Sequence, residues 1–221
     1  MKAKQGGFTL VEIAIVLVII GLLLGGILKG QEMITQAKIK NVIADMSGVS
    51  AAMYGYQDRY KALPGDDKGA TGRWGAAAPT KGTVGNGVIE GTWTEAGAES
   101  MNFWDHLRRA GFISGSSGAD NPFNAVSGKM GVQTGDGTDD TPGGILSDGG
   151  GTPTLFTALL LCSGNLPDKI AISVDAQMDD GLGKKGGVRA MKAAGNPAAI
   201  AAAADDYTED GVSTYVVCRQ M

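Results

Sequence analysis

Residues 8–28, FTLVEIAIVLVIIGLLLGGIL, form an apolar run interrupted by a single carboxylate, Glu12. About 20 such residues span the hydrocarbon of a bilayer as a helix. A helix apolar on every side must be covered by lipid or by other helices, so this stretch dictates what the rest of the chain can be. A charged acid at the centre of a membrane helix costs about 2.5 to 3.5 kcal/mol on insertion scales. After the basic start MKAK no cation follows until Lys29, so the charge of Glu12 has to be answered from outside its own segment. Three readings compete. A secretory signal peptide needs a small-residue cleavage site after the run, and LGGILKGQE offers a poor one. A plain anchor has the right length and leaves Glu12 unexplained. The third reading is cleavage before the run.

The stretch GGFTLVE, residues 6–12, resembles the type IV prepilin signature. In that signature a short basic leader ends in Gly, followed by Phe and an apolar run with Glu at the fifth mature position. The resemblance implies a leader ending at Gly7 and a mature chain beginning at an N-methylated Phe8. Gly21 falls at the mature fourteenth place, where pilins often carry Gly. It also implies processing by a prepilin peptidase/methyltransferase and insertion in the inner membrane. An assembly platform there would build a homo-oligomeric helical filament outside. The new ammonium of Phe8 lies about 6 Å from Glu12 along a helix axis in one chain. In the family's assembly logic a neighbouring subunit, shifted along the filament, brings its own Phe8 amine to this Glu12. The plain alternative is an acid one turn inside the membrane that snorkels to the interface. Many pilins carry Pro where this chain has Lys29, so any bend must come from Gly25, Gly26 and Gly30. Each lowers helix stability by about 1 kcal/mol. Gly21-x-x-x-Gly25 and Gly26-x-x-x-Gly30 also have the spacing that lets helices approach closely, although simple tolerance of Gly explains them equally well.

Past the apolar run the helical pattern continues. Ile39, Val42, Ile43, Met46, Val49, Met53, Tyr56 and Tyr60 recur at three- and four-residue steps, with Lys38, Lys40, Asp45 and Asp58 off the stripe. This predicts an amphipathic helix that ends before Pro64 in KALPGDD. The chain then divides into a leader (1–7), a long helix (8–61, of which 8–28 is membrane or filament core) and a head (62–221). In the head the pattern predicts a short strand at 88–93 and a helix in ESMNFWDHLRRAGFISG stopped by Gly111. A strand is expected in GKMGVQT and a helix from Pro167 to Gly181. GGVRAMK reads as a strand, NPAAIAAAADDY as a short helix and GVSTYVVC as a last strand. TLFTALLLC reads as buried strand or short helix, which periodicity does not separate. A long N-terminal helix packed on a strand-rich head is the α+β plan of pilins. YQDRYKALPGDD, FWDHLRRAGFI and DDG also resemble the head of a pilin or pseudopilin subgroup.

Charge and residue inventory narrow the chemistry. The whole chain has a net charge of −4, and after Leu63 there are 19 acids against 12 Lys and Arg, a net of −7. Such a head repels phosphate, so no nucleic-acid partner is expected. His106 is the one histidine and reads as a structural residue on a helix face beside Trp104 and Leu107. No Ser-His-Asp or Cys-His set, P-loop or zinc spacing is present, so neither enzyme activity nor a cofactor is expected. Asp136, Asp139 and Asp140 in GDGTDDT are hard oxygen donors without the order of an EF-hand, and read as solvated loop acids. Asp66–Asp67, Asp179–Asp180 and Asp205–Asp206 read the same way, and Asp168 suits a helix start. Export of the head, which the resemblance implies, makes Cys162 and Cys218 a disulfide rather than two buried thiols. The expected function is a structural subunit of a type IV pilus. Minor pilin, secretion pseudopilin and membrane-tethered adhesin or binding protein are the alternatives.

Overall fold

A computed structural model of the chain describes residues 9–135, 146, 156–193, 195–200 and 204–221. The contacts divide it into two compact units, Met1–Ala37 and Lys38–Met221. The architecture is α+β: a long N-terminal apolar helix and a head built on a four-stranded antiparallel sheet.

Helix α1 runs from Leu10 to Tyr60 and contributes to both units. Within the first unit it continues without interruption through Gly25, Gly26, Lys29 and Gly30. The flanking Leu and Ile side chains are good enough helix formers to carry the glycines, and Lys29 pairs with Glu32 at 2.8 Å one turn on. Within the second unit the amphipathic stripe points into the head. Ile39, Val42, Met46, Val49, Met53 and Tyr56 are buried, while Ile43 and Tyr60 pack at the margin. The helix stops where Lys61 turns left-handed, with its N–H still donating to the Gln57 carbonyl at 2.8 Å. At Gly55 a side chain would run into the Phe112 ring, so the missing Cβ is what lets Phe112 lie on the helix.

The sheet comprises β1 (Met130–Thr134), β2 (Leu159–Pro167), β3 (Val188–Lys192) and β4 (Thr214–Gln220), in the order β1-β2-β4-β3. All neighbours are antiparallel, and Cys162 faces Cys218 across β2 and β4. Because side chains alternate along a strand, the sheet buries both faces. Leu161, Tyr215, Val217 and Ala190 join the stripe of α1, helix α3 (Glu99–Arg109) and helix α4 (Asp168–Met178) in one core. Leu160, Cys162, Val216, Cys218 and Met191 point the other way, into a second core under the loops around Trp93. This two-faced burial explains why TLFTALLLC shows no period: a central strand covered on both sides reads as a continuous apolar run. Gly131 on β1 has no room for a side chain because the Trp93 indole lies directly on it. The Trp93 Nε1–H donates to the Ala198 carbonyl at 2.8 Å.

One expected element is absent among the described residues, and a second is not helical where it is described. Residues 88–93 form no strand. They belong to a loop closed at its base where Thr80 and Lys81 N–H groups donate to the Gly97 carbonyl at 2.9 and 3.3 Å. Side-chain oxygens rather than the backbone of a partner strand take its donors: Asn86 accepts the Val88 N–H, Glu99 that of Glu90, Glu95 that of Thr92 and Gln133 that of Trp93. Of the stretch NPAAIAAAADDY, residues 196–200 and 204–207 form no helix, and 201–203 lie outside the described residues. Asn196 accepts from the Lys129 N–H at 2.6 Å and donates to the Ser127 carbonyl at 2.8 Å. Asp205 then runs extended beside β3, its N–H donating to the Ala190 carbonyl and its carboxylate accepting the Lys192 N–H, both at 2.8 Å. Tertiary hydrogen bonds at a sheet edge here outweigh the high helix propensity of alanine. Conversely, GATGRW contains a short helix, α2 (Ala70–Trp74), where the composition suggests only loop.

Candidate functional site

The candidate site is the N-terminal segment. Gly7, Phe8 and the whole leader 1–7 lie outside the described residues, which begin at Thr9. From there the geometry is specific. Thr9 precedes the first helical residue, Leu10. Its Oγ1 accepts the Glu12 N–H at 3.3 Å, and a Glu12 carboxylate oxygen accepts both the Thr9 N–H and the Thr9 hydroxyl at 2.8 Å. This is a capping box: the residue before the helix and the third residue inside it satisfy each other's free amides. The pattern T-x-x-E ahead of an apolar run is visible in the sequence. Within one chain, then, Glu12 caps the start of its own helix.

Beyond the cap, Leu10, Val11, Ile15, Leu17, Leu22, Leu23 and Leu28 are all at least half exposed. The apolar part of α1 is left uncovered by the other described residues. It is long and apolar enough to cross a membrane. An added Cβ at Gly21, Gly25, Gly26 or Gly30 would meet nothing within 4 Å. No packing among the described residues therefore calls for glycine at these four positions.

The head places the other sequence candidates in structural roles. Cys162 and Cys218 are bonded, with Cα atoms 4.0 Å apart and both side chains fully buried. His106 is buried on α3; its Nδ1 accepts the Gly65 N–H at 2.9 Å, and its ring lies parallel to Tyr56 at 6.3 Å. Burial pushes its pKa below the usual histidine value, so the ring is neutral and closes the turn after α1. Asp66 and Asp67 are not the solvated loop acids their sequence context suggests; both are buried. Asp66 accepts the backbone N–H groups of Gly85, Asn86 and Gly87. Asp67 accepts the Tyr56 hydroxyl at 2.6 Å, the Gly69 N–H at 2.8 Å and the Arg73 guanidinium. A local sequence pattern does not reveal such long-range backbone contacts. Asp168 opens α4, accepting the Lys169 N–H at 2.7 Å and the Gly211 N–H at 2.6 Å. Asp205 holds β3 as described, and Asp206 pairs with Lys184 at 2.8 Å.

Asp136, Asp139 and Asp140 lie outside the described residues. Among the described residues Asp175, Asp179 and Asp180 bring carboxylate oxygens within 4.8 Å of one another. Asp175 is already engaged by the Tyr207 hydroxyl at 2.7 Å and the Gly181 N–H at 3.2 Å. Asp179 is engaged by the Gly187 and Val188 N–H groups. These acids shape the turn between α4 and β3.

Comparison with known families adds one finding. Residues 2–28 match the family model described as the prokaryotic N-terminal methylation motif. This is the signature of type IV pilins and pseudopilins, and it implies processing by a prepilin peptidase. The match ends at Leu28, so the head contributes nothing to it. No curated protein and no solved structure matches the chain.

Proposed function

We propose that this chain is a structural subunit of a type IV pilus, clipped after Gly7, methylated at Phe8 and polymerised through residues 8–28. One observation carries the reading: the methylation motif leads directly into a helix whose apolar side chains find no cover in their own chain. Lipid covers them before assembly, in the inner membrane, and neighbouring copies cover them afterwards in a surface filament. Glycines at 21, 25, 26 and 30 that serve no contact within the chain suit close approach between helices. In the filament the Phe8 ammonium of one subunit pairs with Glu12 of the next, so that neither charge is left alone among apolar helices. The head then faces solvent, and its role is structural rather than catalytic.

The test is intact-mass measurement of the protein recovered from sheared surface filaments, together with electron microscopy of those filaments. The expected mass is that of a chain beginning at Phe8 with one added methyl group, and the chain should be the principal component. Retention of residues 1–7 in surface material overturns the processing step. Trace amounts within filaments of another subunit would make it a minor pilin instead.

A further inference from the structure

We propose that Glu99 is a pH-sensitive latch for the loop 81–98, neutral while the loop is closed and ionised when it opens. The loop is tied by acids at nearly every step. Asp66 takes Gly85, Asn86 and Gly87; Glu90 takes the Thr83 N–H and the Asn86 side-chain amide; Glu95 takes the Thr92 N–H. Glu99, the first residue of α3, closes the set by accepting the Glu90 N–H on Oε2 at 2.9 Å. The adjacent Ser100 N–H donates to the Glu90 carbonyl at 3.3 Å, and its hydroxyl donates to the Thr92 carbonyl at 2.7 Å.

Glu99 differs from the other three acids. It is 0 % exposed, and its second oxygen, Oε1, is buried with no hydrogen-bond partner among the described residues. The charged groups that act on it, Asp66 before α2 and Glu90 within the loop, carry the same sign as its own ionised form. Lys81 pairs with Glu95 and Arg73 with Asp67, and among the described residues no ion pair reaches Glu99. Further along α3, Asp105 pairs with Arg109 at 2.7 Å and His106 is neutral. Gly82 sits so close to the Glu99 carboxyl that a side chain there would collide with it. A buried carboxylate with one oxygen lacking a donor and two like charges beside it is less costly as the neutral acid.

Burial raises the Glu99 pKa above the usual glutamate value; the bond from the Glu90 N–H works against this, and Asp66 and Glu90 add to the rise. A group whose pKa is raised in the closed state stabilises that state fully below its ordinary range. It loses that contribution as the pH climbs through the raised value. Rising pH therefore loosens the loop, and with it Trp93, which the loop carries into the second core.

The test uses the full-length mature chain in detergent, with ¹³C-labelled glutamate carboxyls followed by NMR and amide exchange measured at Glu90. Glu99 should titrate above the other glutamates. The opening constant of the Glu90 amide should rise about tenfold per pH unit between the ordinary and the raised value. Glu99→Gln should flatten that dependence. Glu90→Gln, which removes one like charge and keeps an acceptor for Thr83, should lower the Glu99 midpoint, giving a second reading if Glu99→Gln does not fold. A Glu99 midpoint in the ordinary range, or the same pH-dependent opening in Glu99→Gln as in wild type, overturns the proposal.

Discussion

Glu12 shows two partners competing for one carboxylate. In the single chain one of its carboxylate oxygens serves Thr9, accepting both the Thr9 N–H and the Thr9 hydroxyl. In the proposed filament a neighbour's Phe8 ammonium takes over, and the Thr9 contacts become secondary. Storage in the membrane is thus less costly than a bare acid suggests, because the carboxylate is already hydrogen-bonded. The two roles separate by mutation. Thr9→Val removes the hydroxyl of the cap, costs the helix end about 1 kcal/mol, and leaves Glu12 available to a neighbour. Filament yield should stay near wild type. Glu12→Val removes both partners; the chain should accumulate in the membrane and yield few or no filaments. Equal filament yields from Glu12→Val, Thr9→Val and wild type would reduce Glu12 to a capping residue.

Helix α1 is two elements in energetic terms. From Lys38 on, its stripe is part of the head core, whereas before that its apolar side chains are exposed. Met46→Ala should therefore destabilise the head by about 2 to 5 kcal/mol, the usual cost of a cavity at a fully buried site. Leu17→Ala should leave the head's melting transition unchanged, since Leu17 is 64 % exposed. Thermal denaturation of both variants in the same detergent checks the contrast; equal shifts would contradict it. The sequence makes this element legible because a 3.6-residue period over many turns is a strong signal. The strands of GKMGVQT, GGVRAMK and GVSTYVVC and the helix around Trp104 are legible for similar reasons: each is local. What escaped is what long-range contacts decide. The loop 81–98 is stabilised by Asp66, Glu90 and Glu99 rather than by a ladder, so alternating residues at 88–93 mimic a strand. NPAAIAAAADDY has helix propensity, yet in its described residues Asn196 and Asp205 bond to other segments. At the candidate site the order Gly7, Phe8, Glu12 is written in the sequence. The cap by Thr9 was equally written there and needed only the T-x-x-E spacing to be recognised.

On the scale of the whole molecule, the loop-rich head carries 28 of the chain's 36 glycines, ordered among the described residues around a four-stranded sheet. The bond between Cys162 and Cys218 joins the two central strands directly. It also closes a long loop, with a sequence separation of 56, that includes α4 and β3. In the chain-entropy model such a closure stabilises the fold by about 4 kcal/mol, a large share of the roughly 5 to 15 kcal/mol typical of a domain. Both sulfurs are buried, so reductant reaches them only when the sheet opens. Alkylation of the native protein taken from cells without reductant should add no label, and reductant should act quickly only under denaturing conditions. The double variant Cys162→Ala, Cys218→Ala should still insert in the membrane, because insertion depends on residues 8–28. Its head should melt well below wild type and be cleaved faster by protease. An unchanged melting temperature in the double variant, or two labelled thiols in the untreated native protein, would show that the head holds together without the bond.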